Sequence, residues 1–405
     1  MKIVMVMGSS SPVPPTKEAG NTIGELMVSI RNKLINHNII IVSKWHSSLG
    51  NLNFDSTKYQ HVIPTFSDEI YKMILKIVPY KIKKILFGYT SIDRIIYYRG
   101  INVILKKIKP DIIISHVHFH MFKSVKKGIP NAKHIFYFHS SNMGDWPSNQ
   151  IKFLYKNADG IISICQHAFK DVNEKYGLTH KNTKVIYNGI DTGMFSIKKR
   201  KNIRKKMRSN YNIKEDDIVL LYAGRIHQSK GLDIIVEAFL KCYNNNNNLK
   251  LFIVGGGYSK YDNQMLEKLL IKKSENLKRN VIKLIKWVNH RDMINIYSMT
   301  DISILASINA EGNSLFMMES MACGIPVICT NTGGLPEIIT NNDTGILINK
   351  ENIRDQLISA IKELVQNKKL RTKIGKSASA YIYKNHKLNI MTEKLDKYLQ
   401  RFIKD

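Results

Sequence analysis

The chain has 405 residues, 43% of them hydrophobic and 23% charged, which is long and apolar enough for two domains and excludes an intrinsically disordered chain. Its 62 Lys and Arg against 32 Asp and Glu leave a net charge of +30, a field that attracts anionic lipid, nucleic acid or nucleotide sugars. Four cysteines without a CxxC pair argue against a zinc ribbon or a disulfide framework, and no apolar run approaches the roughly 18 residues of a membrane span.

Taken in chain order, apolar strands alternate with helix-length segments. Strands are expected at 2–7, 39–43, 111–115, 134–138, 160–164 and 184–187, then at 218–223, 250–254, 281–285, 302–306, 325–329 and 345–348. Such alternation implies parallel, doubly wound sheets. After the first strand, Gly20, Asn21 and Thr22 precede a helix at 23–34, whose start can receive a phosphate or an acceptor. Between Glu69 and Lys109, lysines and arginines are interleaved with Ile, Leu, Tyr and Phe, a mixture suited to helices lying at a headgroup interface. Part of the basicity is compositional, since Lys, Asn, Ile and Tyr are abundant throughout. His116, His118 and His120 alternate and would share a face if they continued a strand, but no acid or cysteine stands beside them to complete a metal site. His139 follows its strand directly. The junction between the halves falls at 188–196, and 196–217 reads as a polar connection rich in Lys and Arg.

The second half holds the chemistry. A strand at 218–223 runs into a turn with Gly224, Arg225 and Lys230, and a guanidinium plus an ammonium can hold a diphosphate and the charge that grows on it. Gly255 and Gly256 open a glycine turn after the next strand, and Trp287 and Val288 follow the one after that. Then Glu311, Gly312, Asn313 and Ser314 form a turn before a helix at 315–323 that carries Glu319. Two strand-to-helix turns side by side offer free N–H groups to a phosphate or a hydroxyl-rich ligand.

The GR-x4-KG segment and the Glu311-x7-Glu319 spacing, followed by MACGIPV and GGLPE, resemble the retaining glycosyltransferases of family four. The resemblance implies the GT-B fold: α/β, with two Rossmann-like doubly wound parallel-sheet domains facing a central cleft. Residues 1–190 would bind the acceptor, 191–387 the nucleotide sugar, and 388–405 would form a helix crossing back to the first domain. It further implies transfer of a hexose or N-acetylhexosamine, with retention and without a metal, from a nucleotide diphosphate sugar, UDP-linked in the first place. The acceptor would be a cell-envelope glycan or a lipid-linked one. A UDP-sugar epimerase of the same fold and a transferase with a peptide acceptor are the alternatives. By the same resemblance Arg225 and Lys230 hold the diphosphate, Glu311 meets the donor sugar, His139 lies near the reacting sugar, and Glu319 accepts from the ribose. Gly20, Asn21, Gly224, Gly255, Gly256, Trp287, Val288, Gly312, Asn313, Ser314 and Leu315 complete the donor site. No Asp-x-Asp pair occurs, no cofactor beyond the donor is expected, and nucleic acid is not an expected partner. With no leader at the start of the chain, a cytoplasmic setting at the inner face of an anionic membrane is expected.

Overall fold

The computed structural model describes residues 1–8, 12–15, 22–51, 55–79, 81–83, 91–244, 248–256, 281–286 and 288–402. In the first half, β1 (Lys2–Met7), β2 (Asn38–Lys44), β3 (Tyr59–Val62), β4 (Ile112–His116), β5 (Lys133–Phe138), β6 (Gly160–Ser163) and β7 (Thr183–Val185) form one parallel sheet in the order β3-β2-β1-β4-β5-β6-β7. In the second, β8 (Ile218–Ala223), β9 (Leu249–Val254), β10 (Ile282–Ile285), β11 (Ile302–Leu305), β12 (Val327–Thr330) and β13 (Ile346–Ile348) run β10-β9-β8-β11-β12-β13. Runs such as Val4, Met5, Val6 and Ile112, Ile113, Ile114 are buried without alternation, because helices cover both faces of each sheet. Each order reverses beside the first strand of its sheet, and the carboxyl ends at that point are where doubly wound sheets bind ligands.

Helices α1 (Thr22–Lys33), α2 (Phe66–Ile77), α3 (Ile92–Ile108), α4 (Phe119–Gly128), α5 (Ser148–Asn157) and α6 (His167–Tyr176) accompany the first sheet. Helices α7 (Ile197–Asn210), α8 (Leu232–Tyr243), α9 (Met293–Met299), α10 (Leu315–Ala322), α11 (Ile353–Gln366) and α12 (Lys368–Asn385) accompany the second. The last, α13 (Leu388–Leu399), returns to the first sheet, where Leu388, Met391, Leu395 and Tyr398 are buried in one cluster with Ile3, Met27 and Ile135. Its Tyr398 hydroxyl donates to the Asn182 carbonyl at 2.6 Å.

Three elements of the structure differ from what the sequence announces. Tyr59–Val62 is an edge strand, and its half-buried YQHV sequence carries no apolar run to announce it. His116, His118 and His120 do not share a strand face: Val117 takes φ 77°, β4 ends, and His118 stands at the residue before α4 without a side-chain cap bond. The polar connection expected at 196–217 holds the helix α7.

That helix docks without an apolar stripe. Arg200, Arg204 and Arg208 recur every four residues and reach the last carbonyls of α9 and the carboxylate of Asp301. Arg200 donates to the Thr300 carbonyl at 2.6 Å, Arg204 to Asp301 Oδ1 at 2.6 Å and Arg208 to Asp301 Oδ2 at 3.1 Å. Cations at a helix C-terminus satisfy its orphan carbonyls and complement its dipole. Arg208→Ala, which strips one partner from a buried ion pair, is expected to lower the unfolding free energy by about 3 kcal/mol in urea titrations. An unshifted midpoint would show that the guanidinium row does not hold α7 in place.

Candidate active site

β8 and β11 lie side by side at the reversal of the second sheet, so the loops leaving their carboxyl ends meet. After β8 the Tyr222 hydroxyl donates to the Arg225 carbonyl at 2.6 Å and fixes the turn. The short helical turn Gln228–Lys230 ends at Gly231, which takes φ 63° and leads into α8. A Cβ at Gly231 would collide with the Ala306 carbonyl at the end of β11, so only glycine lets this turn press against the neighbouring loop. The result is a direct ion pair between Lys230 Nζ and Glu311 Oε1, two residues 81 positions apart. Ser307 Oγ donates to the same carboxylate oxygen at 2.6 Å. Behind it Gly334 N donates to the Glu311 carbonyl at 2.7 Å, an approach that Gly333 permits at φ 60°.

Ser314 starts α10 and accepts from Met317 N, which sets Glu319 on the second turn of the helix. Glu319 is only 3% exposed, and both its oxygens are engaged: Oε1 with His290 Nε2 at 2.6 Å, Oε2 with the Tyr297 hydroxyl at 2.7 Å. Burial first, and then the Glu319 charge, push the Tyr297 phenol well above its ordinary value, so it stays a donor. Burial alone would lower the His290 imidazole, but the hydrogen bond and charge of Glu319 outweigh it and raise the group. A histidine raised on folding contributes stability that is fully present below its ordinary value of about 6.5 and is lost as pH rises through the higher folded value. The melting temperature of the wild type should therefore fall relative to that of His290→Gln as pH is raised above about 6.5. Parallel profiles across that range would show that His290 is not held as a cation.

These groups border one cavity of about 500 Å³ between the domains. Of the residues singled out in the sequence, Gly224, Arg225, Lys230, Gly255, Gly256, Val288, Glu311, Ser314, Leu315 and Glu319 line it. Pro15, Thr22 and Glu25 close it from the first domain. Gly312 and Asn313 stand at the domain seam instead. A Cβ on Gly312 would strike Ile164, and the Asn313 carbonyl accepts from Asn188 Nδ2 at 2.9 Å. His139 lies off the cavity, its Nε2 2.8 Å from His116 Nδ1 and its ring stacked on Tyr137 at 4.3 Å. Burial lowers its imidazole to about 3, so it is neutral near pH 7. Gly20, Asn21 and Trp287 lie outside the described residues. Among the described residues no cluster of three His, Cys, Asp or Glu could hold a metal ion.

Four residues of the site carried no sequence argument: Tyr222, His290, Tyr297 and Ser307. His290 stands two positions after Val288, close enough to that turn to have been a candidate, whereas Tyr297 reads as one more core aromatic.

A second set of contacts ties the domains together. Glu337, in the GGLPE segment, accepts at 2.8 Å from both Gln166 N and His167 N at the start of α6. Its Oε2 also accepts from the Tyr187 hydroxyl at 2.9 Å. A carboxylate placed at a helix N-terminus gains from its free N–H groups and dipole.

Two parallel-sheet domains enclosing a cleft, with two cations and two carboxylates at the reversal point of the second sheet, define the architecture of a GT-B glycosyltransferase. The comparisons agree: residues 203–381 match the model of the glycosyl transferases group 1, and residues 60–193 match that of Glycosyltransferase Family 4, so the chain is a glycosyltransferase of this family-four-like kind. The lipopolysaccharide 1,2-N-acetylglucosaminetransferase of Salmonella typhimurium is 24% identical over 325 residues, 79% of this chain and 81% of that protein. The N-acetyl-alpha-D-glucosaminyl L-malate synthase of Bacillus anthracis is 27% identical over 248 residues, 60% of each chain, so the matched region falls short of two thirds of that relative. Anabaena Alr3699/HepE, solved in complex with UDP, shares the fold with a TM-score of 0.75 at 15% identity, over 99% of this chain and 100% of that one.

Proposed function

We propose that the protein transfers a hexose or N-acetylhexosamine, with retention and without a metal, from a UDP-sugar to a cell-envelope glycan or a lipid-linked acceptor. The observation that carries this reading is the placing of Arg225 and Lys230 beside Glu311 in the interdomain cavity. In it, residues 191–387 bind the donor and 1–190 the acceptor. The diphosphate lies against Arg225 and Lys230, the ribose hydroxyls donate to the remaining lone pairs of Glu319, and the sugar hydroxyls meet Glu311. The bond between the sugar C1 and the diphosphate oxygen breaks, and the two cations stabilise the charge left on that oxygen. The acceptor hydroxyl bonds to C1 from the same face and its proton passes to the departing phosphate, so this route uses no protein nucleophile. UDP is favoured by the UDP complex of the Anabaena neighbour, and the sugar class by the names of the two relatives.

Thermal stabilisation by a panel of UDP- and GDP-sugars, followed by slow hydrolysis of the stabilising ones, tests it. Stabilisation by UDP-sugars is expected. If none stabilises the protein, or if sugars are interconverted without transfer, the reading fails.

The acceptor side carries a surface suited to a lipid-borne substrate. On α2 the apolar residues Phe66, Ile70, Met73, Ile74 and Ile77 recur at helical spacing and point outward, the two ends each 82% exposed, while Leu75 faces inward. Lys72 and Lys76 lie on the same helix. An apolar face with neighbouring lysines, on a chain of net charge +30, fits the headgroup boundary of an anionic bilayer, reached from the cytoplasmic side. No helix among the described residues is long and apolar enough to cross a membrane. Phe66→Asp should weaken binding to vesicles containing phosphatidylglycerol by about tenfold in sedimentation assays. Equal binding by the variant and the wild type would remove this contact.

A further inference from the structure

A second cavity, of about 300 Å³, opens at the carboxyl edge of the first sheet. Three strand ends contribute to it: Gly8 after β1, Lys44 at the end of β2 and His118 after β4. From the side, the start of α3 brings Ser91 and Arg94, and Tyr97 closes the floor with its hydroxyl bonded to the Met7 carbonyl at 2.7 Å. This is the reversal point of the first sheet, between β1 and β4, the counterpart of the place where the second sheet builds the donor cavity.

Its two cations stand without an ionic partner among the described residues. Neither the Lys44 ammonium nor the Arg94 guanidinium makes an ion pair or a side-chain hydrogen bond among the described residues. The one acid in the lining, Asp93, is met by Lys72 from α2 at 3.4 Å. Ser91 makes no side-chain cap bond, so the first-turn N–H groups of α3 keep their donor capacity and the positive end of the helix dipole. Burial, then the charge of Arg94, lower the His118 imidazole to about 4, so it enters the pocket as a neutral group with one N–H to give. Gly8 makes room for it, because a Cβ there would strike the His118 side chain and the His116 carbonyl. Two cations without a partner among the described residues, converging in a concave site with a helix start that the Ser91 side chain does not cap, are matched to a compact oxyanion that can take bidentate bonds from a guanidinium.

From this arrangement we infer that the pocket binds a phosphate group carried by the acceptor, with Arg94 and Lys44 as its specificity-determining contacts. The inference rests on the glycosyl-transfer reading and narrows it: the acceptor is a phosphorylated molecule, held by its phosphate in the first domain while the donor diphosphate is held in the second.

Isothermal titration of the full chain, saturated with UDP so that the donor cavity is filled, tests it with two probes. Glycerol 1-phosphate stands for a soluble phosphorylated acceptor and short-chain phosphatidic acid for a lipid-borne one. At least one probe is expected to bind the wild type, and R94Q and K44Q should each bind it at least about tenfold more weakly. Binding of glycerol 1-phosphate marks a soluble source, and binding of phosphatidic acid alone marks a lipid. UDP titrated into the same proteins before they are saturated separates the two readings. If UDP binds but neither probe does, or if R94Q and K44Q bind the probe as the wild type does, the pocket assignment is wrong while the donor reading stands. If UDP itself fails to bind, the donor reading falls first.

Discussion

Arg225→Ala is expected to lower turnover by about 10²- to 10³-fold, with the far-UV circular dichroism of the wild type retained. The fold should survive because Tyr222 holds the turn through the Arg225 carbonyl, a backbone atom that alanine keeps. What disappears is a planar fork of donors fixed at the mouth of the cavity, matched to two phosphate oxygens at once. Charge on the leaving oxygen is larger in the transition state than in the bound donor, so the loss should appear in kcat more than in KM. Arg225→Lys restores the charge without the fork and should recover only part of the rate. Full activity in the alanine variant would take the diphosphate away from this turn.

Glu311→Gln is expected to move binding and catalysis in opposite directions. Lys230 is paired with Glu311, so a phosphate must compete with a carboxylate for the same ammonium. Glutamine keeps the size of the side chain and an oxygen for Ser307 Oγ, but removes the charge that holds Lys230. UDP should then bind about tenfold more tightly, since a competing ion pair at such a site is worth a few kcal/mol before screening. Transfer should slow by about 10²-fold or more, because the amide cannot accept from the sugar hydroxyls as a carboxylate does. Calorimetry with UDP and initial rates with the donor identified by screening would read the two effects separately. Weaker UDP binding in this variant would mean that the Lys230–Glu311 ion pair is not what a phosphate has to displace.

How much of this could be read from the residues follows from the range of the interactions. The strands were legible because runs such as Ile218 to Ala223 are covered on both faces and so are continuously apolar. The positions of Arg225, Lys230, Glu311 and Glu319 relative to their own helix starts were legible too, since a strand, a short turn and a helix fix them locally. The contacts that make a site of them were not. Lys230 meets Glu311 only because β8 and β11 are neighbours in the sheet, which no local pattern states. Tyr297 and His290 acquire a role only once Glu319 arrives on another element, and α7 was obscure because its partners are carbonyls and an aspartate about a hundred positions away. The edge strand β3 has too little buried apolar surface to betray itself.

The width of the gap between the lobes depends on a side chain that touches neither nucleotide nor sugar in the scheme above. Prising the lobes apart at Glu337 means surrendering three short contacts together, two of them with the leading amides of one helix. Were that clasp absent, an arriving donor would have to draw the lobes shut with part of its own affinity, and it would bind more weakly in proportion to the share of molecules standing open.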